Sequence, residues 1–352
     1  MELLAILGLL WAISKALIAA SWTALQAPVR GPRGGTAATK HIMAMAVRTF
    51  FETVSIDQFR YAYSPDTSAR LLETWARCTH TTLKKVKLPD GTTAFWLGNP
   101  DAERLLLHLP GGAYCLPALP SHIDYSTSIL KGLGQAGIDA GMLFLPYELT
   151  PTAQYPHQMK QAVALLQYVI EDLGKRPSDI VLLGDSAGAH LILSVLSHLA
   201  HPHPHIPPLL LPENLAGALL LSPWMGESRT DYDSCRRNAS RDLVSLKLLI
   251  HWADMFLGDT EPDSYNQPAG APGGWWRDLP VEEIFIGVGG HEILYDSIIK
   301  TARKIKAEHT GVTIGIAHLE VHCEALSPFN PGMMSPDQYR ALLEWLKGSL
   351  RK

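Results

Sequence analysis

The chain is poor in cysteine. Only four occur in 352 residues, Cys78, Cys115, Cys235 and Cys323, and none are paired at C-x-x-C spacing. That excludes a Cys-based zinc site and a disulfide framework, leaving open a single disulfide. Excess positive charge is also lacking: 30 Lys and Arg stand against 34 Asp and Glu, for a net charge of −4. Without a basic field, nucleic acid is excluded as a partner. There is no internal repeat. The histidines of "SHLAHPHPHIPP" place His201, His203 and His205 on one side of an extended strand, but no carboxylate or thiolate completes a ligand set. A stiff surface loop is expected there, with no metal and no cofactor.

Long apolar runs are lacking too, with one exception at the start of the chain. Leu3 to Trp22 reads "LLAILGLLWAISKALIAASW", interrupted only by Lys15 and small polar residues. About 20 apolar residues match the hydrocarbon thickness of a bilayer, and Lys15 can snorkel. A secretory signal peptide competes, but Glu2 stands where a basic n-region belongs. The first fixed positive charges, Arg30, Arg33 and Lys40, follow the run, which favours a retained anchor with the body on the cytosolic side. The sequon Asn238-Ala239-Ser240 points weakly the other way. The expected organisation is an anchor helix over 1–28, a Pro/Gly/basic linker over 29–45 and one domain over 46–352. A single-helix membrane protein, of the endoplasmic reticulum, is expected, with the membrane side and oligomeric state open.

Residues 40–77 look helical, and Asp90-Gly91 between alternating segments signals a hairpin. Short apolar runs then alternate with helix-length segments. Strands are expected at Arg104–Leu109, Ala140–Leu145, Ile180–Leu183, Ala218–Leu221, Ile284–Val288 and Val312–His318. Helices are expected at Ser121–Ala136, Pro156–Leu173, Ala187–His198 and Asp296–Glu308. That rhythm is α/β: a mostly parallel sheet covered by helices on both faces. Two segments, the Pro/His-rich 201–214 and the long insertion 225–279, break it. Ligand contacts in such folds gather beyond the carboxyl ends of the strands.

The chemistry centres on "LLGDSAGAHL". A strand running into G-x-S-x-G, with a helix beginning at once, holds Ser186 exposed on a tight turn in front of a helix N-terminus. Gly111-Gly112-Ala113, after an earlier strand, can turn backbone N–H groups toward the same point. A nucleophilic serine needs a base and an orienting acid later in the chain. "GVGGHEILYD" offers Glu292, with Asp296 one turn on, and "AHLEVHCEALSPF" offers His322, with His318 as rival. Asp296 is expected to cap the helix that follows it, His318 to lie on or near its strand, and Cys115 and Cys323 to be packing residues. Tyr114, Trp224, Trp275 and Trp276 are candidate walls of an apolar pocket.

Six ordered blocks, "HLPGGAY", "LPYELTPTAQYPHQMKQAV", "LLGDSAGAHL", "LLLSPW", "IGVGGHEILYDS" and "EVHCEALSPF", carry a resemblance over about residues 45–350. The chain resembles the hormone-sensitive-lipase-like branch of the α/β-hydrolase fold, near its fungal esterase and steryl-acetyl-hydrolase-like members. The resemblance implies a Ser-acid-His triad on Ser186, Glu292 and His322, with Glu where many relatives have Asp. It also implies backbone oxyanion donors at Gly111, Gly112 and Ala187, and a helical cap with contributions from about 46–77 and 225–279. One block departs from the pattern. The usual His-Gly-Gly-Gly loop has Pro110 in place of the His and Ala113 in place of the third Gly, a change that bears on substrate range and rate rather than on the triad.

The expected function is a serine ester hydrolase acting on an apolar small-molecule ester of a lipid, sterol or secondary metabolite. The altered loop keeps a second reading open: a cyclase, dehydratase or condensation catalyst of fungal secondary metabolism using the same base and oxyanion hole. A third, a receptor with a dead site, is disfavoured because all three triad positions carry competent residue types.

Overall fold

A computed structural model describes residues 2–30, 37–62, 67–226, 232–326 and 336–351. The sheet has eight strands: β1 (Lys85–Lys87), β2 (Thr93–Gly98), β3 (Arg104–Leu109), β4 (Ala140–Phe144), β5 (Ile180–Asp185), β6 (Leu215–Leu221), β7 (Val281–Gly289) and β8 (Val312–Ala317). Their order is β1-β2-β4-β3-β5-β6-β7-β8. The hairpin β1–β2 and the β2–β4 pair are antiparallel, and every other pair is parallel.

The strands are apolar on both sides because both faces are covered. Along β3, Leu105, Leu107 and Leu109 enter one core and Leu106 the other; along β5, Ile180 and Leu182 oppose Val181 and Leu183. One core is closed by α5 (Pro120–Gln135) and α11 (Asp337–Ser349). The other is closed by α6 (His157–Gln167), α7 (Ala187–Ala200) and α10 (Tyr295–Glu308). The segment expected as one helix from Pro156 to Leu173 ends its α-helical part at Gln167 and continues as a single π turn, Tyr168–Asp172.

Among the described residues, five helices lie outside these layers: α1 (Glu2–Arg30), α2 (Ala38–Thr53), α3 (Ile56–Ala62), α8 (Asp233–Arg237) and α9 (Leu246–Leu257). A further helix, α4 (Thr67–Cys78), sends Leu72 into the α5/α11 core. The roof over the carboxyl ends of the strands is made where α2 meets α9, with the Phe51 and Trp252 rings 6.2 Å apart and edge to face. Two boundaries differ from expectation. The first helix continues through Pro28 to Arg30, and residues 38–45, expected in a linker, already belong to α2; residues 31–36, including Arg33, lie outside the described residues.

α1 inverts the usual arrangement of a surface helix. Ala12 and Thr23 are buried where it packs on α2 and α3, whereas Leu3, Leu7, Leu10, Trp11, Leu17, Ile18, Trp22 and Leu25 point outward. Small residues let helix backbones approach closely, and large apolar side chains in water are unfavourable. By length and composition the helix can cross a membrane, with a mean hydropathy of 2.2 over its most apolar window.

Other expectations resolve locally. No disulfide joins any two of the four cysteines. His201 Nε2 bonds the Trp275 carbonyl at 2.9 Å, and the His203 and His205 amides donate to His198 and His203, so these histidines tie down their own loop. Asp296 does not cap its own helix. Its carboxylate accepts from the Ser234 amide at 2.7 Å and so holds the start of α8 from outside. Asn238 of the sequon is fully buried, and its amide nitrogen donates to the carbonyls of Gly290 (3.0 Å) and Glu292 (2.7 Å), which leaves no room for a glycan in the folded chain.

Candidate active site

The turn from β5 into α7 is tight in a way that its two glycines explain. A Cβ at Gly188 would lie 1.9 Å from the Leu109 carbonyl oxygen, and one at Gly184 would lie 2.6 Å from Gly188. The backbones of β3, β5 and α7 therefore meet here with no space for a side chain. Ser186 sits at the apex with φ 49° and ψ −115°, outside the regions that non-glycine residues favour. Its amide donates to Leu221 on β6 (2.8 Å), which pins the strained turn to the sheet.

Three side chains expected from separate parts of the sequence converge on this point. His322 Nε2 lies 2.8 Å from Ser186 Oγ, and His322 Nδ1 lies 3.0 Å from Glu292 Oε2. Glu292 comes from the loop after β7 and His322 from the loop after β8. The rivals do not reach: Asp296 is engaged with Ser234, and His318 lies just past β8. The Glu292 carboxylate is saturated, with Oε1 accepting from Ser222 Oγ (2.6 Å), Gln338 Nε2 (3.3 Å) and the Gly289 amide. Ser222 also accepts from the Cys323 amide at 3.2 Å, so it joins the acid to the loop that carries His322.

Burial pushes the His322 imidazole down, and its acidic neighbours push it up by more, so it stands above the usual histidine value. Burial also raises the adjacent Cys323 thiol, to about 11. A second buried carboxylate, Asp242, lies in the same cluster. Burial lifts it to about 6 against the pull of His322.

The oxyanion loop differs from expectation at one residue. The Gly111 amide donates to Asp185 Oδ1 at 3.0 Å and is spent there. Asp185, next to the nucleophile, faces His122 (3.5 Å) and His108 (3.7 Å). Burial pushes its carboxyl up, but the two histidines outweigh that and hold it below the usual carboxylate range. Gly112 and Ala113 follow with φ 125° and 53°, a run of left-handed backbone that turns the loop toward Ser186. Gly112, Ala113 and Ala187 all border the cavity in front of the serine.

That cavity holds about 600 Å³. Met43, Val47 and Phe51 of α2 wall one side, and Leu249 and Trp252 of α9 another. Trp224 lines it, as expected. Tyr114, Trp275 and Trp276 do not. Tyr114 is buried beneath, stacked on Phe256 at 4.0 Å and bonded through its hydroxyl to His190. Trp275 packs on His201, with its indole N–H on Ser197, and Trp276 is fully buried in the core. Sequence reasoning missed Asp242, Ser222 and Gln338, and most of the cavity wall. Ser222 stands in the block "LLLSPW"; the others carry no local signal, because their roles arise only from contacts distant in sequence.

A model of the α/β-hydrolase fold family matches residues 106–326, more than half of the chain. An acetyl-hydrolase of Streptomyces hygroscopicus is 30% identical over 206 residues, 58% of this chain and 62% of that protein. Steryl acetyl hydrolase 1 of Saccharomyces cerevisiae is 29% identical over 130 residues, 36% of this chain and 28% of that protein. The chain thus spans less than two thirds of the length of these relatives. Among solved structures, an esterase/lipase from an uncultured bacterium superposes with a TM-score of 0.64 at 25% identity, covering 77% of this chain and 85% of that one. An esterase of the bacterial hormone-sensitive lipase family shares the fold, with a TM-score of 0.63 at 22% identity over 94% of this chain and 98% of that one.

Proposed function

The chain belongs to the α/β-hydrolase fold family, in the hormone-sensitive-lipase-like branch that includes steryl acetyl hydrolases, and from that premise we propose that it is a serine ester hydrolase of small apolar esters. The observation that carries the reading is the unbroken chain from Ser186 Oγ through His322 to Glu292, with links of 2.8 and 3.0 Å.

Ser186 attacks the acyl carbonyl while His322 Nε2 takes its proton. Glu292 keeps the imidazole oriented and stabilises its charged form. The amides of Gly112 and Ala187 receive the negative charge of the tetrahedral intermediate; such donors are each worth about 3–4 kcal/mol where charge develops. Imidazolium then protonates the leaving alcohol, and a water activated by the same nitrogen clears the acyl-enzyme. The reaction draws on protein groups and water alone. The non-hydrolytic alternative needs a base but no serine held against it, so the Ser186–His322 contact favours acyl transfer.

The apolar cavity walls support an apolar acyl or alcohol part, and the acetyl-hydrolase relatives support a short acyl group. We read α1 as a membrane anchor of the endoplasmic reticulum, on the strength of its outward apolar face. The test is hydrolysis of p-nitrophenyl acetate, butyrate and octanoate by the full chain in detergent, beside Ser186→Ala and His322→Ala. Activity lost in both variants and highest on the short esters is expected. A folded protein inert on all three, or an active Ser186→Ala variant, refutes the reading.

A further inference from the structure

Asp242 lies in the insertion between α8 and α9, far in sequence from the proposed triad, and is fully buried. No step of the reaction uses it. Its Oδ2 accepts from the Ile293 amide at 2.7 Å, one residue past the acid Glu292. Its Oδ1 accepts from the amide of His322 itself at 3.1 Å and from Leu243 at 2.8 Å. One carboxylate therefore grips the acid loop and the base loop together. Asn238, four residues earlier, grips the acid loop again through Gly290 and Glu292, and Ser234 Oγ donates to the Ile293 carbonyl at 2.7 Å.

The same insertion builds the cavity wall. Leu243 and Val244 follow Asp242 directly and line the cavity, as do Leu249 and Trp252 of α9. A buried ionised carboxylate is costly, and three amide donors offset that cost only while both loops stay in place. Leucine or asparagine would serve a packing role at less expense. The charge is thus best explained by what it holds.

We propose that Asp242 is a positioning residue, which fixes the acid and base loops in one register and makes the alignment of Ser186, His322 and Glu292 depend on the seating of the cap. The proposal rests on the hydrolase reading for its kinetic consequence but not for its geometry. The titratable groups facing Asp242 are His322 and Glu292.

The experiment compares the full chain in detergent with Asp242→Asn and Asp242→Glu. Asn keeps the size but turns an amide toward an amide donor and removes the charge. Misplacement of reacting groups by about 1 Å costs up to about 100-fold, so kcat on p-nitrophenyl butyrate is expected to fall about 10–100-fold with KM within about twofold. Loss of a negative neighbour also makes imidazolium harder to form, so the acid limb of kcat/KM moves to lower pH. A purely structural role would leave that limb in place. An Asn variant with wild-type kcat and an unmoved limb overturns the proposal. If that variant does not fold, Asp242→Glu carries the test. It keeps the charge but pushes it one methylene into both loops, so a fall in kcat with the limb unmoved is expected, and wild-type kcat overturns the proposal. A wild type that cleaves no ester refutes the hydrolase reading separately. The downfield proton resonance of His322 Nδ1–H against Glu292 then reads the clamp: it weakens in either folded variant if Asp242 holds the loops, and unchanged intensity overturns the proposal.

Discussion

The floor and the roof of the cavity are built from different interactions. The floor, from Ser186 to Glu292 and His322, is a closed polar network in which each side chain has a named partner, and it hangs on strand ends that close packing keeps in place. The roof, α2 against α9, is joined by aromatic and aliphatic contacts such as Phe51 on Trp252. Directional bonds hold atoms to a fraction of an ångström, whereas apolar contacts tolerate exchange of shape at constant volume. On the proposed function, the floor sets whether chemistry occurs and the roof sets which molecule receives it. Substitutions in the two regions should differ in kind as well as size.

The largest effect is expected at Ser186. Ser186→Ala should lower kcat by about 10⁴-fold or more, measured with p-nitrophenyl butyrate at saturating substrate. Ser186→Gly should be equally inactive yet more stable by about 1 kcal/mol, since glycine accepts φ 49° without strain. Thermal unfolding of the two variants side by side checks this, and equal melting temperatures would remove strain from the account. Next, Glu292→Gln should lower kcat by about 10²–10⁴-fold, because a neutral amide neither stabilises imidazolium nor fixes the tautomer. A variant within about threefold of wild type would show that Glu292 is not the orienting acid.

Dependence on pH sharpens the same contrast. In the proposed reaction His322 must be neutral to accept the serine proton, and its value is raised above that of a free imidazole. Activity should thus rise with pH through a midpoint above about 6.5 and fall away below it. A midpoint under 6 in the kcat/KM profile would mean that burial, and not the neighbouring Cys323 and Glu292, governs the base. The smallest effect belongs to the roof. Trp252→Ala should leave kcat on p-nitrophenyl acetate within about threefold but improve octanoate relative to acetate by about 10-fold, as the vacated volume takes a longer chain. An unchanged chain-length ratio would move substrate selection away from α9.

The floor was far more legible in the sequence than the roof. G-x-S-x-G marks a backbone crossing that only glycine permits, and Gly188 against the Leu109 carbonyl is the physical reason for that pattern. The strand rhythm located the loops after β7 and β8, and Glu292 and His322 were readable because each stands at the carboxyl end of a strand. Gly111 was misassigned because nothing local says that its amide is taken by Asp185, 74 residues away. The aromatic residues at 114, 275 and 276 were read as pocket walls from composition, yet aromatic side chains fill cores as readily as they line cavities. Asn238 resembled a glycosylation site only because a sequon carries no information about burial.

By itself the sequence determined the layered α/β architecture, the turn at Ser186 and the outward apolar helix, since each follows from short-range periodicity, steric exclusion or length. Only the tertiary structure decided which carboxylate meets which imidazole, that the Gly111 amide is taken by Asp185, and that Asp242 joins two loops, because those outcomes rest on distances between residues that the chain brings together from afar.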